Sequence, residues 1–429
     1  MMSESTVVQK QGIFELLRNR SYAQFMLART ISRFGDSVDS IAYGWMVYLL
    51  TGSKLLMGTL MAVNFLPNIL FGLFAGAMVD RMSPQKVIVL AYAGRGTLVG
   101  LTALLFSLGE LQVWHLFVMT VLVSLLECFA TPAETSSVPR LLPPGLLLSG
   151  NALSSSIARM SELAGIAAAG ALIAGAGIAW TLWIDAALFG ASAFFMAKVV
   201  FPGIRPDVVL EDTSEPGEAA APHGSLFSEI IEAFRFLRTI PVLLMTSFLF
   251  AFVNFCLMPF NVLRTPYVTE ILNAGAGGLS LLSGMMVAGM VLGGLWLTNW
   301  GSNYRKSLLV ILGIVMLGLS YAMTALPAYI GQYPLAVAAV FALLMGFGIP
   351  LATTPLASYM MEVTPSGMLG RVSAFQSMLC LSAVPLGSLL SGAIAEWVPM
   401  PILFIGFGVA MALSAAGLIM SPTFRRVLK

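Results

Sequence analysis

The chain repeatedly runs apolar for about the 20 residues that a helix needs to cross the hydrocarbon core of a bilayer. Such runs fall near 22–49, 54–79, 86–108, 113–134, 146–172 and 179–200, and again near 240–269, 278–300, 306–326, 333–360, 371–395 and 399–421. In lipid every backbone polar group must find its partner inside the protein, so an open chain crosses as helices. The expected architecture is an all-α integral membrane protein with twelve transmembrane helices in two six-helix bundles. The longest runs must tilt or project beyond the membrane. The expected division is a cytoplasmic segment over 1–20, a bundle over 21–200, a linker over 201–238, a bundle over 239–421 and a tail over 422–429. Only 10% of the residues are charged against 58% hydrophobic, where a soluble domain carries about 25% charged.

Charge placement orients this layout. With both ends cytoplasmic, the inner segments hold sixteen basic residues, from Lys10, Arg18 and Arg20 through Arg81, Lys86, Arg140 and Lys198 to Arg425, Arg426 and Lys429, whereas the outer loops hold only Lys54. Positive charge kept on the cytoplasmic side is what insertion requires. The first twenty residues are polar and carry no apolar core with a cleavage site, so no removable signal peptide is expected. The bilayer itself is the first partner.

Between the two sets lies the one extended polar stretch. Its first part is acidic and Pro-rich, a flexible linker. Its second part, SLFSEIIEAFRFLR, places Leu226, Phe227, Ile230, Ile231, Phe234 and Leu237 at helical spacing after a plausible cap at Ser225. An amphipathic helix at the inner membrane surface is expected there. The halves also repeat. Thr131-Pro132 and Thr354-Pro355 each precede a polar turn with a second proline and a new span.

Several functions are excluded. Cys128, Cys256 and Cys380 are far apart in apolar spans and offer no metal spacing or disulfide framework. His115 and His223 are the two histidines, so no metal and no cofactor is expected. No P-loop pattern occurs, and no clustered catalytic set marks one interface, so the chain is not expected to be an enzyme. A net charge of +2 calls for no nucleic-acid partner.

The loop GLFAGAMVDRMSPQK over 72–86 carries a finer signal. Gly72 and Gly76 lie one helical turn apart, a face that can approach a neighbouring helix closely. The spacing Gly76-x3-Asp80-Arg81-x4-Lys86 resembles the loop 2–3 signature of the major facilitator superfamily. GGLWLTNWGSNYRKS stands in the corresponding place of the second half, with Arg305-Lys306 but no Asp-Arg. ISRFGDSVDSIAYGWMVYLLTGS, TPAETSSVPRLLP, SLLSGMMVAGMVLGGLW and TPSGMLGRVSAF are similar to the macrolide-efflux and siderophore-exporter branches. The resemblance covers most of residues 14–420 outside the linker. It implies two pseudo-symmetric bundles around a central cavity, working by alternating access, and proton-coupled export of amphipathic small molecules such as macrolides. It implies an antiporter, a monomer in the bacterial cytoplasmic (inner) membrane, with a small-molecule substrate and protons as coupling ion. A siderophore exporter, or a lysolipid flippase on the same fold, is the alternative. Exporters of this superfamily carry G-P-x-x-G-G in span five, where this chain reads Gly165-Ile166-Ala167-Ala168-Ala169-Gly170. The resemblance also implies a cytoplasmic gate in which Asp80 caps span eleven near Gly370-Arg371 and Arg81 meets Glu134.

Ionisable residues at membrane depth are costly, and each calls for a functional reading. The first span places Arg29, Arg33, Asp36 and Asp39 on one helical face, with Tyr43 beyond. Arg33 and Asp36 can pair within the helix. Asp39 has no local partner and is the expected proton- or substrate-binding carboxylate. Glu127 is the second candidate, with no Lys or Arg in its own span. Arg159 and Glu162 lie three residues apart and can pair. Asp185 is ambiguous in span six, and Asn254, Asn261 and Arg264 share a face of span seven.

Overall fold

The computed structural model describes residues 16, 18–79, 81–143, 146–201, 234–420 and 424. The described residues are helical throughout, joined by short turns. The helices are α1 (Arg20–Thr51), α2 (Lys54–Val79), α3 (Pro84–Ser107) and α4 (Val113–Leu141), then one run over Leu147–Ala197. The second half holds α7 (Pro241–Pro266), α8 (Ala276–Trp300), α9 (Lys306–Met323), α10 (Pro334–Val363), α11 (Ser366–Ala395) and α12 (Met400–Met420). The run over Leu147–Ala197 has 51 residues. At about 1.5 Å per residue it is more than twice the thickness of a bilayer core. It is two helices, α5 before Gly177 and α6 after it, because Gly177 takes φ 81 and ψ 165, a conformation open to glycine alone.

Ten helices among the described residues are long and apolar enough to span. Dividing the long run at Gly177, and adding α1 with its four internal charges, makes the expected twelve. The fifth and sixth spans therefore meet at a single residue, with no loop between them. The lipid-facing surface is apolar: Phe74, Leu90 and Val200 are among the most exposed side chains. Trp114, Trp180, Trp300, Tyr333 and Trp397, near helix ends, are exposed as well, as in the aromatic belts at membrane interfaces. The amphipathic helix expected from Ser225 lies largely outside the described residues, which show a helical turn over 234–239.

The chain divides into two compact units, one of residues 1–40, 66–166 and 176–211, the other of 41–65, 167–175 and 212–429. In the first, a core of Tyr22, Phe25, Ile88, Tyr92, Val138 and Met196 joins the start of α1 to α3, α4 and α6. Polar side chains close the helix ends around it. Asn19 donates to Leu141 O at 2.9 Å and Tyr22 Oη to Gly150 O at 2.7 Å. Gln85 Nε2 reaches the last carbonyls of α6, at Met196 and Ala197, which lack intrahelical donors, and that of Val199 just beyond it.

In the second unit α8 packs on α10, α9 on α10 and α12, and α7 on α11. Phe260, Tyr267, Tyr321 and Phe404 form its aromatic centre, with ring centroids 5.2–5.8 Å apart. α7 runs on into a π-helical turn over Tyr267–Ile271, and that turn presents Glu270. Glu270 accepts from Tyr48 Oη at 2.7 Å and pairs with Lys54 at 3.0 Å. Lys54, the one basic residue expected in the outer loops, thus pairs with a carboxylate.

Glu396, just beyond α11, accepts the Leu55 backbone N–H at 3.0 Å and the Ser53 hydroxyl at 3.1 Å. The Leu55 N–H is the main reason that its carboxyl is held below the usual range; the Ser53 hydroxyl adds to it. A carboxyl lowered by folding contributes above its unfolded value, near 4.3 for glutamate, and stops contributing as pH falls through its lower folded value. Hydrogen exchange of the Leu55 amide, corrected for intrinsic rate, will therefore stay slow at neutral pH and lose protection on acidification below ~4. Glu396→Ala will remove that protection at neutral pH. Unchanged protection in the variant would discard the contact.

Candidate functional site

The buried charges of the first unit converge from four helices. α1 supplies Arg29 and Arg33 one turn apart, then Asp36, all on the face that meets α3 and α4. Arg33 pairs with Glu127 at 3.0 Å and with Glu134 at 3.1 Å, both from α4, and more loosely with Asp36 at 3.5 Å. Arg29 pairs with Glu134 at 3.0 Å and donates to Ser154 of α5. Tyr92 of α3 donates to the other oxygen of Glu134 at 2.8 Å. Arg95, one turn on from Tyr92, pairs with Asp36 and lies over the Phe189 ring of α6, 4.5 Å from its centroid.

Such a network suits an apolar bundle because each guanidinium offers several donors in a rigid fork and can bridge two carboxylates. Buried ions persist only when paired and hydrogen-bonded. Glu134 is the hub: its side chain is 3% exposed and takes two guanidiniums and a phenol.

The sequence-derived candidates divide on this geometry. Arg33, Asp36 and Glu127 belong to the network, with Glu127 paired across helices rather than unpaired. Asp39 is buried in the same unit without an ion pair among the described residues. Tyr43 is buried on the stretch of α1 that belongs to the second unit. Arg159 and Glu162 do pair, at 2.8 Å, but with side chains 67% and 42% exposed. In the second unit Asn254 bonds back to Phe250 O at 2.9 Å, and Arg264 reaches Ser283 Oγ of α8 at 3.3 Å. Asn261 is half-buried on the same helix.

The gate expectations fare differently. Glu134 does not meet Arg81: it is buried among Arg29, Arg33 and Tyr92, while Arg81 and Lys86 are exposed. Two guanidiniums already neutralise that carboxylate inside the unit, so a surface arginine has nothing to add. Asp80 lies outside the described residues. Gly370 and Arg371 fall beyond the first turn of α11, which begins five residues earlier than the sequence suggested. A Cβ on Gly76 would meet nothing within 4 Å, and one on Gly72 only Asn68 of its own helix. Close approaches do occur in α5. There a Cβ on Gly165 would stand 2.6 Å from Phe34 O, and one on Gly170 2.6 Å from Ala276 O. Both glycines kept from the export signature let α5 approach neighbouring backbone closely.

Arg95 and Tyr92 were not singled out from the sequence, although a lone arginine in an apolar run was a visible signal. Arg29 and Asp185 were noted without a role.

The family model described as Major Facilitator Superfamily matches residues 25–384. The chain belongs to the major facilitator superfamily. It is 25% identical to macrolide efflux protein A of Streptococcus pyogenes over 349 residues, 81% of this chain and 82% of that protein. It is 26% identical to the multidrug efflux pump Tap of Mycobacterium tuberculosis over 420 residues, 95% of each. The crystal structure of the nucleoside transporter NupG superposes with a TM-score of 0.66 at 15% identity, over 95% of this chain and 99% of that one. The all-α twelve-helix fold is thus the major facilitator fold. This superfamily member is a multi-pass membrane transporter of a small molecule, not an enzyme.

Proposed function

We propose that the protein is a proton-driven exporter of amphipathic, macrolide-like molecules. The observation that carries this reading is similarity to two drug-efflux proteins over 81% and 95% of the chain, in a chain whose first unit buries an ionic network. The bundles over 21–200 and 239–421 are the two rocking bodies of an alternating-access cycle, joined by 201–238. The protein acts as a monomer in the bacterial cytoplasmic membrane with both termini inside, an orientation supported by the basic residues of the inner segments. Asp39 is the proton- or substrate-binding carboxylate, and the turn between α2 and α3, with Gly76, Asp80, Arg81 and Lys86, forms the cytoplasmic gate with the start of α11.

Cells lacking their own efflux pumps and expressing this protein will accumulate less labelled macrolide than controls, and a protonophore will abolish the difference. Equal accumulation, with the protein present in the membrane, rejects macrolide export. A second reading, export of an anionic compound such as a siderophore, is favoured by Arg264, which meets Ser283 and forms no ion pair among the described residues.

A further inference from the structure

The buried charges of the first unit do not balance. Three guanidiniums, Arg29, Arg33 and Arg95, stand among five carboxylates: Asp36, Asp39, Glu127, Glu134 and Asp185. Asp36, Glu127 and Glu134 hold all three guanidiniums as ion pairs. The other two acids form no ion pair among the described residues. Asp39 on α1 is only 7% exposed. Asp185 on α6 is 0% exposed, and neither of its oxygens has a hydrogen-bond partner among the described residues. An ionised carboxylate is not retained in such a place without a partner; it takes a proton.

We propose that Asp185 is a proton-binding site, paired with Asp39, and that Arg95 is the cation that switches it. The groups facing Asp185 are Asp36 and Asp39 from α1, which repel a second negative charge, and Arg95 from α3, which attracts one. Its carboxyl fills the space left by Gly35: a Cβ there would stand 2.7 Å from Asp185 Oδ1. Asp185 therefore sits beside Asp36, the present partner of Arg95. Arg95 lies over Phe189, one turn further along α6, and its Nε–H is buried without an acceptor. When Arg95 turns that N–H to Asp185, the acid ionises and its proton leaves to water. When Arg95 returns fully to Asp36, Asp185 takes one proton back. The site deepens the proton-driven reading above, since it names the acids that carry the protons, yet it can be tested without any substrate.

Infrared spectroscopy of the full-length purified protein in detergent reads buried neutral carboxyl groups directly by their C=O band, which shifts in heavy water. At neutral pH the wild type will show that band, and Asp185→Asn will lose one component of it. The amide is isosteric with the neutral acid, so the variant will melt within a few degrees of wild type. An unchanged carboxyl band in Asp185→Asn, or a fall in melting temperature as large as that of Asp36→Asn, overturns the proposal. Should Asp185→Asn fail to fold, the wild-type spectrum decides: two neutral carboxyl components are expected at neutral pH, and their absence overturns it. Loss of macrolide export with the band intact removes the export reading alone. Export with no band removes the proton site alone.

Discussion

Glu134→Gln will destabilise the protein by about 3–5 kcal/mol, the usual cost of removing one partner from a buried ion pair. The glutamine keeps the size of the side chain and can still accept from Tyr92, so packing and that hydrogen bond are spared. What is lost is the negative charge between Arg29 and Arg33. Arg33 keeps Glu127 and Asp36, but Arg29 keeps only the Ser154 hydroxyl, which carries no charge. Thermal melting in detergent measures the loss. Glu134→Gln combined with Arg29→Met will recover most of it, because the unpaired cation is gone too. A single variant within ~1 kcal/mol of wild type, the range of an exposed pair, would mean that water reaches Glu134 and that the hub is no hub.

Asp36→Asn is the second large effect, also about 3–5 kcal/mol. Arg95 has a side chain only 3% exposed, and without Asp36 its charge faces an aromatic ring and two uncharged acids. A cation over the face of a phenylalanine gains at most ~2 kcal/mol even when desolvated, too little to replace a carboxylate. The variant will therefore draw Asp39 or Asp185 into ionising beside Arg95. The wild type keeps both acids neutral in the native state, whereas the unfolded chain releases those protons above pH ~4. Wild-type stability therefore falls as pH rises across the neutral range; the variant holds one native proton fewer, so its stability falls less steeply. Melting curves at several pH values check both claims, and Asp36→Asn with Arg95→Met will melt close to wild type. A variant whose stability falls with pH as steeply as that of the wild type would show that neither acid ionises beside Arg95.

The spans were legible because crossing a bilayer imposes a length and a composition on each segment separately, and both are local properties of sequence. The i,i+3 pair of Arg159 and Glu162 was legible for the same reason: both partners lie on one helix face. The boundary between the fifth and sixth spans was less so, since no loop residue marks it and one glycine at φ 81 makes the break. The site was half legible. The four charges of α1 stood out against their apolar surroundings, and Glu127 could be seen to lack a partner in its own helix.

The sequence by itself determined a membrane-embedded, twelve-helix transporter with an ionic first span. Only the tertiary structure decided which charge meets which. Partners such as Glu134 and Arg33, 101 residues apart, depend on how each helix is rotated about its axis, and that rotation is set by packing against neighbours rather than by hydropathy. The same rotation turns Glu134 inward, away from the surface arginine assigned to it. It also brings Arg95 to Asp36 and leaves Asp185 beside Gly35 without an ion pair among the described residues.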